Sequence, residues 1–188
     1  RRSIRKKYDI PLDKKVFVYG GNLGKPQGID FMIQCLKSQE KNAEVFFIIV
    51  GDGTEFSKIE SYMDKDHPQN VKLMRRLPKE DYDKMVGACD VGMIFLDHRF
   101  TIPNFPSRIL SYMQAKIPVL AVTDPNTDIG KVIVTGGFGW WCESNDLQGF
   151  CKCISCTVNE KVDGEDEFKL LKYAFLAQKS YEIIEKSS

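Results

Sequence analysis

The chain has 188 residues, 43% of them hydrophobic, and a formal net charge of +1 at pH 7. Its length and apolar fraction predict a single domain over residues 1–188 with a sizeable core. The near-neutral charge does not favour nucleic acid as a partner. No apolar stretch approaches the roughly 20 residues of a membrane-spanning helix, and no signal peptide is visible. The chain opens without methionine and inside a segment that has already begun. We therefore expect an excised domain preceded by a further segment.

The first segment of the chain, "RRSIRKKYD", is strongly basic. Its positive side chains are Arg1, Arg2, Arg5, Lys6 and Lys7. A run of like charges is usually exposed to water, so we predict a solvated helix or the tail of a linker here.

Buried strands and amphipathic helices alternate along the remainder of the chain. Short continuous apolar runs predict the strands, and apolar residues at helical spacing predict the helices. The predicted strands cover residues 14–21, 43–53, 70–74, 90–96, 117–122 and 138–142. The predicted helices cover residues 27–40, 54–65, 78–88, the stretch between 105 and 117, 127–136, 145–159 and 165–187. This pattern predicts an α/β fold with a doubly wound, Rossmann-like, six-stranded parallel sheet.

Ligands of such sheets bind at the carboxyl ends of the strands, so the loops that follow the strands are the informative ones. The loop "GGNLGKPQG" follows the first strand, and its glycines let backbone amides approach a phosphate, with Lys25 adding a charge. A plain strand-to-helix turn explains the same glycines. The dinucleotide fingerprint GxGxxG is absent from this loop.

Other loops on the same edge add weaker signals. The "GDG" stretch at 51–53 favours a turn when taken alone, and two arginines, Arg75 and Arg76, follow the third strand. Arg108 lies in the first turn of a predicted helix, where a positive charge opposes the helix dipole. That placement indicates an anionic ligand or partner, although an ordinary helix start with a solvated arginine is the alternative.

The six cysteines do not predict a metal site. Four of them cluster, and "CKCISC" resembles a metal-binding run, but no CxxC pair is matched by a second one. On a helix, Cys151 and Cys153 point about 200° apart, which suits no tetrahedral site. We predict reduced thiols and no bound metal.

Several stretches, in this order, resemble the C-terminal half of the GT-B glycosyltransferases, in particular the family-4-type retaining enzymes. The resemblance extends over nearly the whole chain from Tyr8 onward, and its specificity lies in the order and spacing of the motifs. The stretches are "YGGNLGKPQGID", "FFIIVGDGTEFSKIE", "NVKLMRRLPKEDYDKMVGACDVGMIFL", "FPSRILSYMQAKIPVLAV" and "GGFGWWCESND".

The resemblance implies a domain that binds a nucleotide sugar, such as a UDP- or GDP-sugar. Gly21 and Asn22 are then expected near the diphosphate, Asp52 at the rim of the base or ribose, and Arg76 at the base. The donor-binding residues implied by the resemblance are Gly21, Asn22, Lys25, Gln27, Asp52, Gly53, Arg76, Leu77, Ser107, Arg108 and Ser111.

The family also implies a function for the longer protein. We expect a glycosyltransferase, specifically a hexosyltransferase, of bacterial surface polysaccharide or capsule biosynthesis, with an N-terminal acceptor domain outside this chain. The isolated domain is expected to be inactive, with no catalytic residue, no metal and no cofactor of its own. The expected location is the cytoplasm, with peripheral association of the full-length enzyme at the inner face of the plasma membrane left open. The predicted helix over 165–188 is expected to pack toward the absent domain, or alternatively to complete the core of this one.

Two carboxylates that are usual in the family are missing, because Pro103 and Ser111 occupy their positions. Asn22 and Gln27 likewise replace a frequent arginine and lysine. A hydroxyl at Ser111 can bond a ribose but offers no charge-assisted bidentate contact. Two alternatives therefore stay open: a degenerate, non-catalytic nucleotide-binding or interaction module, and half of a nucleotide-sugar epimerase.

Overall fold

The computed structural model of the chain describes residues 1–99, 108–126 and 128–159. Within these residues, six parallel strands form one sheet in the order β3-β2-β1-β4-β5-β6. This order confirms the predicted doubly wound sheet. The strands are β1 (Lys15–Asn22), β2 (Val45–Asp52), β3 (Val71–Met74), β4 (Val91–Phe95), β5 (Val119–Thr123) and β6 (Gly139–Glu143).

The described helices agree with the predicted ones to within a few residues. They are α1 (Arg2–Lys7), α2 (Ile29–Ser38), α3 (Phe56–Asp66), α4 (Lys79–Val86), α5 (Arg108–Gln114), α6 (Ile129–Gly136) and α7 (Leu147–Asn159), and a short 3₁₀ turn, Lys25–Gln27, precedes α2. Three predictions lie outside the described residues: the helix over 165–188, the donor contact at Ser107 and the substitution at Pro103.

Both faces of the sheet are covered by helices, as its apolar strands require. Alternate residues of β1 point to opposite faces. Phe17 and Tyr19 join a core with α2, α3 and α7. Val16 and Val18 join a second core with α4, α5 and α6. Because all six strands are parallel, the loops that follow them emerge together at the carboxyl ends of the strands.

Helix α5 is fixed onto the sheet where β1 and β4 lie side by side. The buried Tyr112 hydroxyl is 3.2 Å from the carbonyl oxygen of Val18 and 2.9 Å from that of Met93, so it ties the helix to both strands. A Cβ at Gly92 would lie 2.3 Å from the Tyr112 ring, so only glycine lets the ring lie against β4. This contact determines where Arg108, at the start of α5, meets the sheet edge.

The prediction of a solvated N-terminal segment is wrong for Arg5. Although the segment is helical, the Arg5 side chain is buried, and it donates to the carbonyl oxygens of Ala88 and Pro11 at 2.9 Å each. It also pairs with Asp90 at 2.8 Å. Asp90 additionally accepts from the Val16 amide at 2.7 Å. The sequence pattern missed this burial because Ala88 and Asp90 lie 83 and 85 positions away from Arg5 in the chain.

Candidate functional site

A cleft of about 700 Å³ opens at the carboxyl ends of β1, β2 and β3, beside the start of α5. Parallel strands bring their carboxyl ends to one edge, so residues far apart in sequence meet here. The predicted donor-binding residues that line this cleft are Gly21, Asn22, Asp52, Arg76, Leu77, Arg108 and Ser111.

Glycine is required where β1 enters the cleft. Gly21 has a φ of +130°, a conformation that side chains disfavour. A Cβ on Gly21 would lie 2.6 Å from Nη2 of Arg108, and one on Gly20 would lie 2.0 Å from the Tyr82 hydroxyl. The two glycines therefore leave the backbone bare at the cleft and let Arg108 approach it closely.

Arg108 is held by Tyr19, a residue of β1 that the sequence analysis did not single out. Nη1 of Arg108 donates to the Tyr19 hydroxyl at 2.8 Å, and the guanidinium carbon lies 4.7 Å from the centre of the ring. The Tyr19 hydroxyl in turn donates to the carbonyl oxygen of Asn22 at 2.6 Å. Burial raises the pKa of Tyr19, and the nearby Arg108 offsets part of that increase. The hydroxyl therefore keeps its proton at neutral pH.

Two arginines give the cleft its positive charge. Neither Arg76, which is exposed, nor Arg108 forms an ion pair within the described residues. Lys79, by contrast, pairs with Asp83 at 2.7 Å. A cleft with two unneutralised guanidinium groups and bare backbone is suited to an anion.

Asp52 is already neutralised in this structure. Nη1 of Arg75 pairs with its carboxylate at 2.7 Å, and the Arg75 guanidinium lies 3.5 Å from the centre of the Phe56 ring. Of the two arginines after β3, only Arg76 lines the cleft. Ser111 lies one turn after Arg108 on α5 and also lines the cleft.

Three predicted site residues lie elsewhere. Lys25 and Gln27 line a second cavity of about 760 Å³, because the 3₁₀ turn carries their side chains away from the cleft. Gln27 still contacts the cleft indirectly, since its Oε1 accepts from Nδ2 of Asn22 at 3.2 Å. Gly53 lines neither cavity, and a Cβ there would lie 2.4 Å from the carbonyl oxygen of Leu23. Its role in the structure is close loop packing.

The charges of the second cavity largely neutralise one another. Lys58 pairs with Asp30 at 3.0 Å and with Glu55 at 2.6 Å. Arg99 pairs with Asp97 at 2.6 Å, and its hydrogen bond holds the pKa of Asp97 below the usual range. This cavity is therefore a weaker candidate for anion binding than the cleft.

The sequence analysis missed Tyr82, which lines the cleft, and Tyr19, which holds Arg108 from the core beneath it. One signal was available, because Tyr19 stands in an otherwise apolar strand immediately before the glycines, and a buried tyrosine hydroxyl needs a hydrogen-bond partner. Tyr82 carried no such signal, since its position on α4 gave no sign that the helix borders β1.

In the part of the chain that the structure describes, no group of three or more histidine, cysteine, aspartate or glutamate side chains is arranged to hold a metal ion. None of the helices described is both long and apolar enough to cross a membrane. The six cysteines, all within the described ranges, are free thiols.

The six-stranded parallel sheet with its flanking helices matches the domains of glycosyltransferases of the GT-B fold. The model of the family Glycosyl transferases group 1 matches residues 1–168. The chain belongs to this family.

One curated relative agrees with the family match. The probable glycosyltransferase WbjE of Pseudomonas aeruginosa is 30% identical over 141 residues, which cover 75% of this chain and 35% of that protein. The chain thus spans about a third of the length of this curated relative.

Two solved structures show the same fold. The C-terminal domain of the glycosyl transferase group 1 family protein LpcC from Francisella tularensis has a TM-score of 0.68 and 16% identity, covering 96% of this chain and 92% of that one. Anabaena Alr3699/HepE, solved in complex with UDP and glucose, has a TM-score of 0.68 and 18% identity, covering 94% of this chain and 44% of that one.

Proposed function

We propose that the chain is the nucleotide-sugar-binding, C-terminal domain of a family-4-type retaining glycosyltransferase. The observation that carries this proposal is the placement of Arg76 and Arg108, both unneutralised within the described residues, around the bare backbone of Gly21 in one cleft. A diphosphate offers the negative charge and oxygen acceptors that such a site can bind. The similarity to HepE, which was solved with UDP and glucose, supports a nucleoside diphosphate as the ligand.

Each wall of the cleft has a role in this proposal. Arg108 and the backbone at Gly21 bind the diphosphate, Arg76 and Leu77 contact the base, and the Ser111 hydroxyl contacts the ribose. When the sugar is transferred, the departing nucleoside diphosphate gains negative charge. Preorganised cations stabilise that charge, so the proposed domain needs no metal or other cofactor.

The activity of the whole protein is a further part of the proposal. The chain spans 35% of the length of WbjE, and we assign the acceptor site to a second domain outside this chain. Alone, the domain is then expected to transfer no sugar. The sequence resemblance supports hexosyl transfer in bacterial surface polysaccharide biosynthesis, in the cytoplasm at the inner face of the plasma membrane.

A titration of the 188-residue chain with UDP and with GDP tests the proposal. We expect one of the two to bind with a Kd no tighter than about 0.1 mM, because a single wall of an interdomain cleft contributes affinity. Arg108→Met should weaken binding about tenfold by removing a charged hydrogen-bond donor. Lys6→Met is the matched control, since it removes one positive charge from an exposed position on α1.

A degenerate, non-catalytic module is the second candidate function. The observation that favours it is that Arg75 neutralises Asp52, while Ser111 replaces a carboxylate, so the ribose finds no free carboxylate among the predicted contacts. Failure of the wild-type chain to bind either nucleotide would favour this module. Membership of a glycosyltransferase family speaks against the epimerase alternative.

A further inference from the structure

We propose that Tyr19 is a positioning residue that holds the Arg108 guanidinium at the diphosphate site. This inference rests on the proposed function and deepens it, because it assigns part of the donor affinity to a buried residue of β1. Tyr19 need not contact the ligand in this proposal. It acts through Arg108 and through the backbone of the loop after β1.

The Tyr19 side chain is itself rigidly placed. It is fully buried, and its ring packs edge-on against Phe95 in the core between the sheet and α2. Its hydroxyl reaches the edge of the sheet, where it donates to the Asn22 carbonyl at 2.6 Å. Since a hydroxyl has only one proton, this bond leaves an oxygen lone pair as the group that faces Arg108.

Arg108 meets that lone pair with one N–H, from Nη1, at 2.8 Å. The guanidinium also lies over the Tyr19 ring, 4.7 Å from its centre, and fills the space that a side chain on Gly21 would occupy. An arginine carries five N–H donors. Within the described residues, Tyr19 takes one of them, which leaves the others for an anion in the cleft.

The same hydroxyl orders two parts of the site at once. It holds the Arg108 guanidinium in place, and its bond to the Asn22 carbonyl oxygen holds the backbone that follows Gly21. A free arginine side chain must lose rotamer freedom when it binds a ligand, and a side chain already held in place loses less. Removing the Tyr19 hydroxyl should therefore weaken binding of the diphosphate more than binding of the rest of the nucleotide.

The test compares UDP with UMP, or GDP with GMP, according to which nucleotide the wild-type chain binds. Tyr19→Phe keeps the ring and removes the hydroxyl. We expect diphosphate affinity to fall about fivefold to tenfold, within the range for one ordinary hydrogen bond, because the loss reaches the ligand through Arg108. Monophosphate affinity should change less than about twofold, so the preference for the diphosphate shrinks. In an Arg108→Met background, Tyr19→Phe should lower diphosphate affinity less than it does in the wild type, because only its bond to the Asn22 carbonyl oxygen is then lost.

Two further variants separate positioning from general stability. Tyr62→Phe removes the hydroxyl of another buried tyrosine, which donates to Glu40 at 3.0 Å and does not line the cleft. It should leave both affinities unchanged. Arg108→Lys keeps the positive charge but lacks the planar guanidinium, and it should lose the diphosphate preference as Tyr19→Phe does. Because Arg108→Lys does not alter the core, it tests the proposal even where Tyr19→Phe folds poorly.

The outcomes are distinct. If the wild-type chain binds a nucleotide and Tyr19→Phe binds it equally well, or weakens diphosphate and monophosphate alike, the positioning role is overturned and the proposed function stands. An Arg108→Lys variant that matches the wild type overturns the role in the same way. If the wild-type chain binds neither nucleotide, the proposed function fails, and the positioning role fails with it.

Discussion

At the scale of single residues, three arginines of one chain have different surroundings and different roles. Arg5 is buried and pairs with Asp90. Arg75 is exposed and neutralises Asp52 from outside the cleft. Arg108 has a neutral tyrosine as its hydrogen-bond partner, so its full charge remains available to the cleft. The role of each guanidinium thus follows from its neighbours rather than from its residue type.

Arg5→Ala should strongly destabilise the fold. The substitution removes the Arg5 guanidinium from the Asp90 carboxylate, at 2.8 Å, and from the Ala88 carbonyl oxygen, at 2.9 Å. Arg1 still pairs with Asp90 and bonds Ala88, so we expect a loss of about 2 kcal/mol, below the cost of leaving a buried charge unpaired. Urea unfolding measures the loss, and Arg2→Ala, at an exposed position of the same helix, should cost less than about 0.5 kcal/mol. Equal losses for the two variants would show that the buried contacts of Arg5 contribute nothing.

At the scale of secondary-structure elements, α5 is the element on which the cleft depends. It is a short helix, and it brings both Arg108 and Ser111 to the cleft. Its position is determined at its centre, where the Tyr112 ring lies against Gly92 of β4. The geometry of the cleft is therefore sensitive to packing on the buried side of the helix.

Gly92→Ala should destabilise the chain by about 1–3 kcal/mol, because the new methyl group would overlap the Tyr112 ring. Combining it with Tyr112→Ala should cost less than the sum of the two single losses, since alanine lacks the Cγ and Cδ atoms that the new methyl group would overlap. A double-mutant cycle in urea measures the coupling, which we expect to be at least about 1 kcal/mol.

Gly87→Ala is the control for this cycle. A Cβ at Gly87 meets nothing closer than 3.5 Å, so the stability loss of Gly87→Ala should simply add to that of Tyr112→Ala. If the stability losses in the Gly92 cycle also simply add, the contact between Gly92 and Tyr112 does not determine the position of α5.

At the scale of the whole molecule, the two cores enclose ionisable groups that must stay neutral. Cys35 and Cys89 are fully buried on opposite faces of the sheet. Burial raises the pKa of Cys89 from an ordinary value near 9 to about 12, and it raises the pKa of Cys35 as well. Both thiols therefore hold their protons in the folded state at pH values where the unfolded chain has lost them.

The fold should consequently lose stability as the pH rises above about 9. Between the unfolded and folded pKa values the native state binds more protons than the unfolded state, so the free energy of unfolding falls with pH. Cys89 alone contributes a slope of about 1.4 kcal/mol per pH unit in this window. Urea unfolding under reducing conditions between pH 8 and about 10.5 measures the slope.

Cys89→Ala should show a shallower dependence on pH than the wild type, whatever its stability at pH 8. Cys156→Ala is the matched control, because Cys156 is exposed and its removal should leave the slope unchanged. If the slope were the same in all three proteins, burial of Cys89 would not be a source of alkaline instability.

Much of the architecture could be read from short-range patterns. Continuous apolar runs specified the strands, helical spacing specified the helices, and their alternation implied a parallel sheet with its ligand loops at one edge. This is why Gly21, Arg76 and Arg108, widely separated in sequence, could be predicted to share a cleft. These patterns are local properties of the chain, because the repeat of a helix or a strand alone decides which side chains share a face.

The pairing of side chains followed from folding in three dimensions. Tyr19 and Arg108 are 89 positions apart, Arg5 and Asp90 are 85 apart, and neither pair has a sequence signature. The choice of Arg75 over Arg76 as the partner of Asp52, and the turn that takes Lys25 away from the cleft, depend equally on where neighbouring elements lie. Hydrogen bonds and ion pairs form only over a few ångströms. The charges that remain free to bind a ligand are therefore determined by long-range packing, which no local pattern encodes.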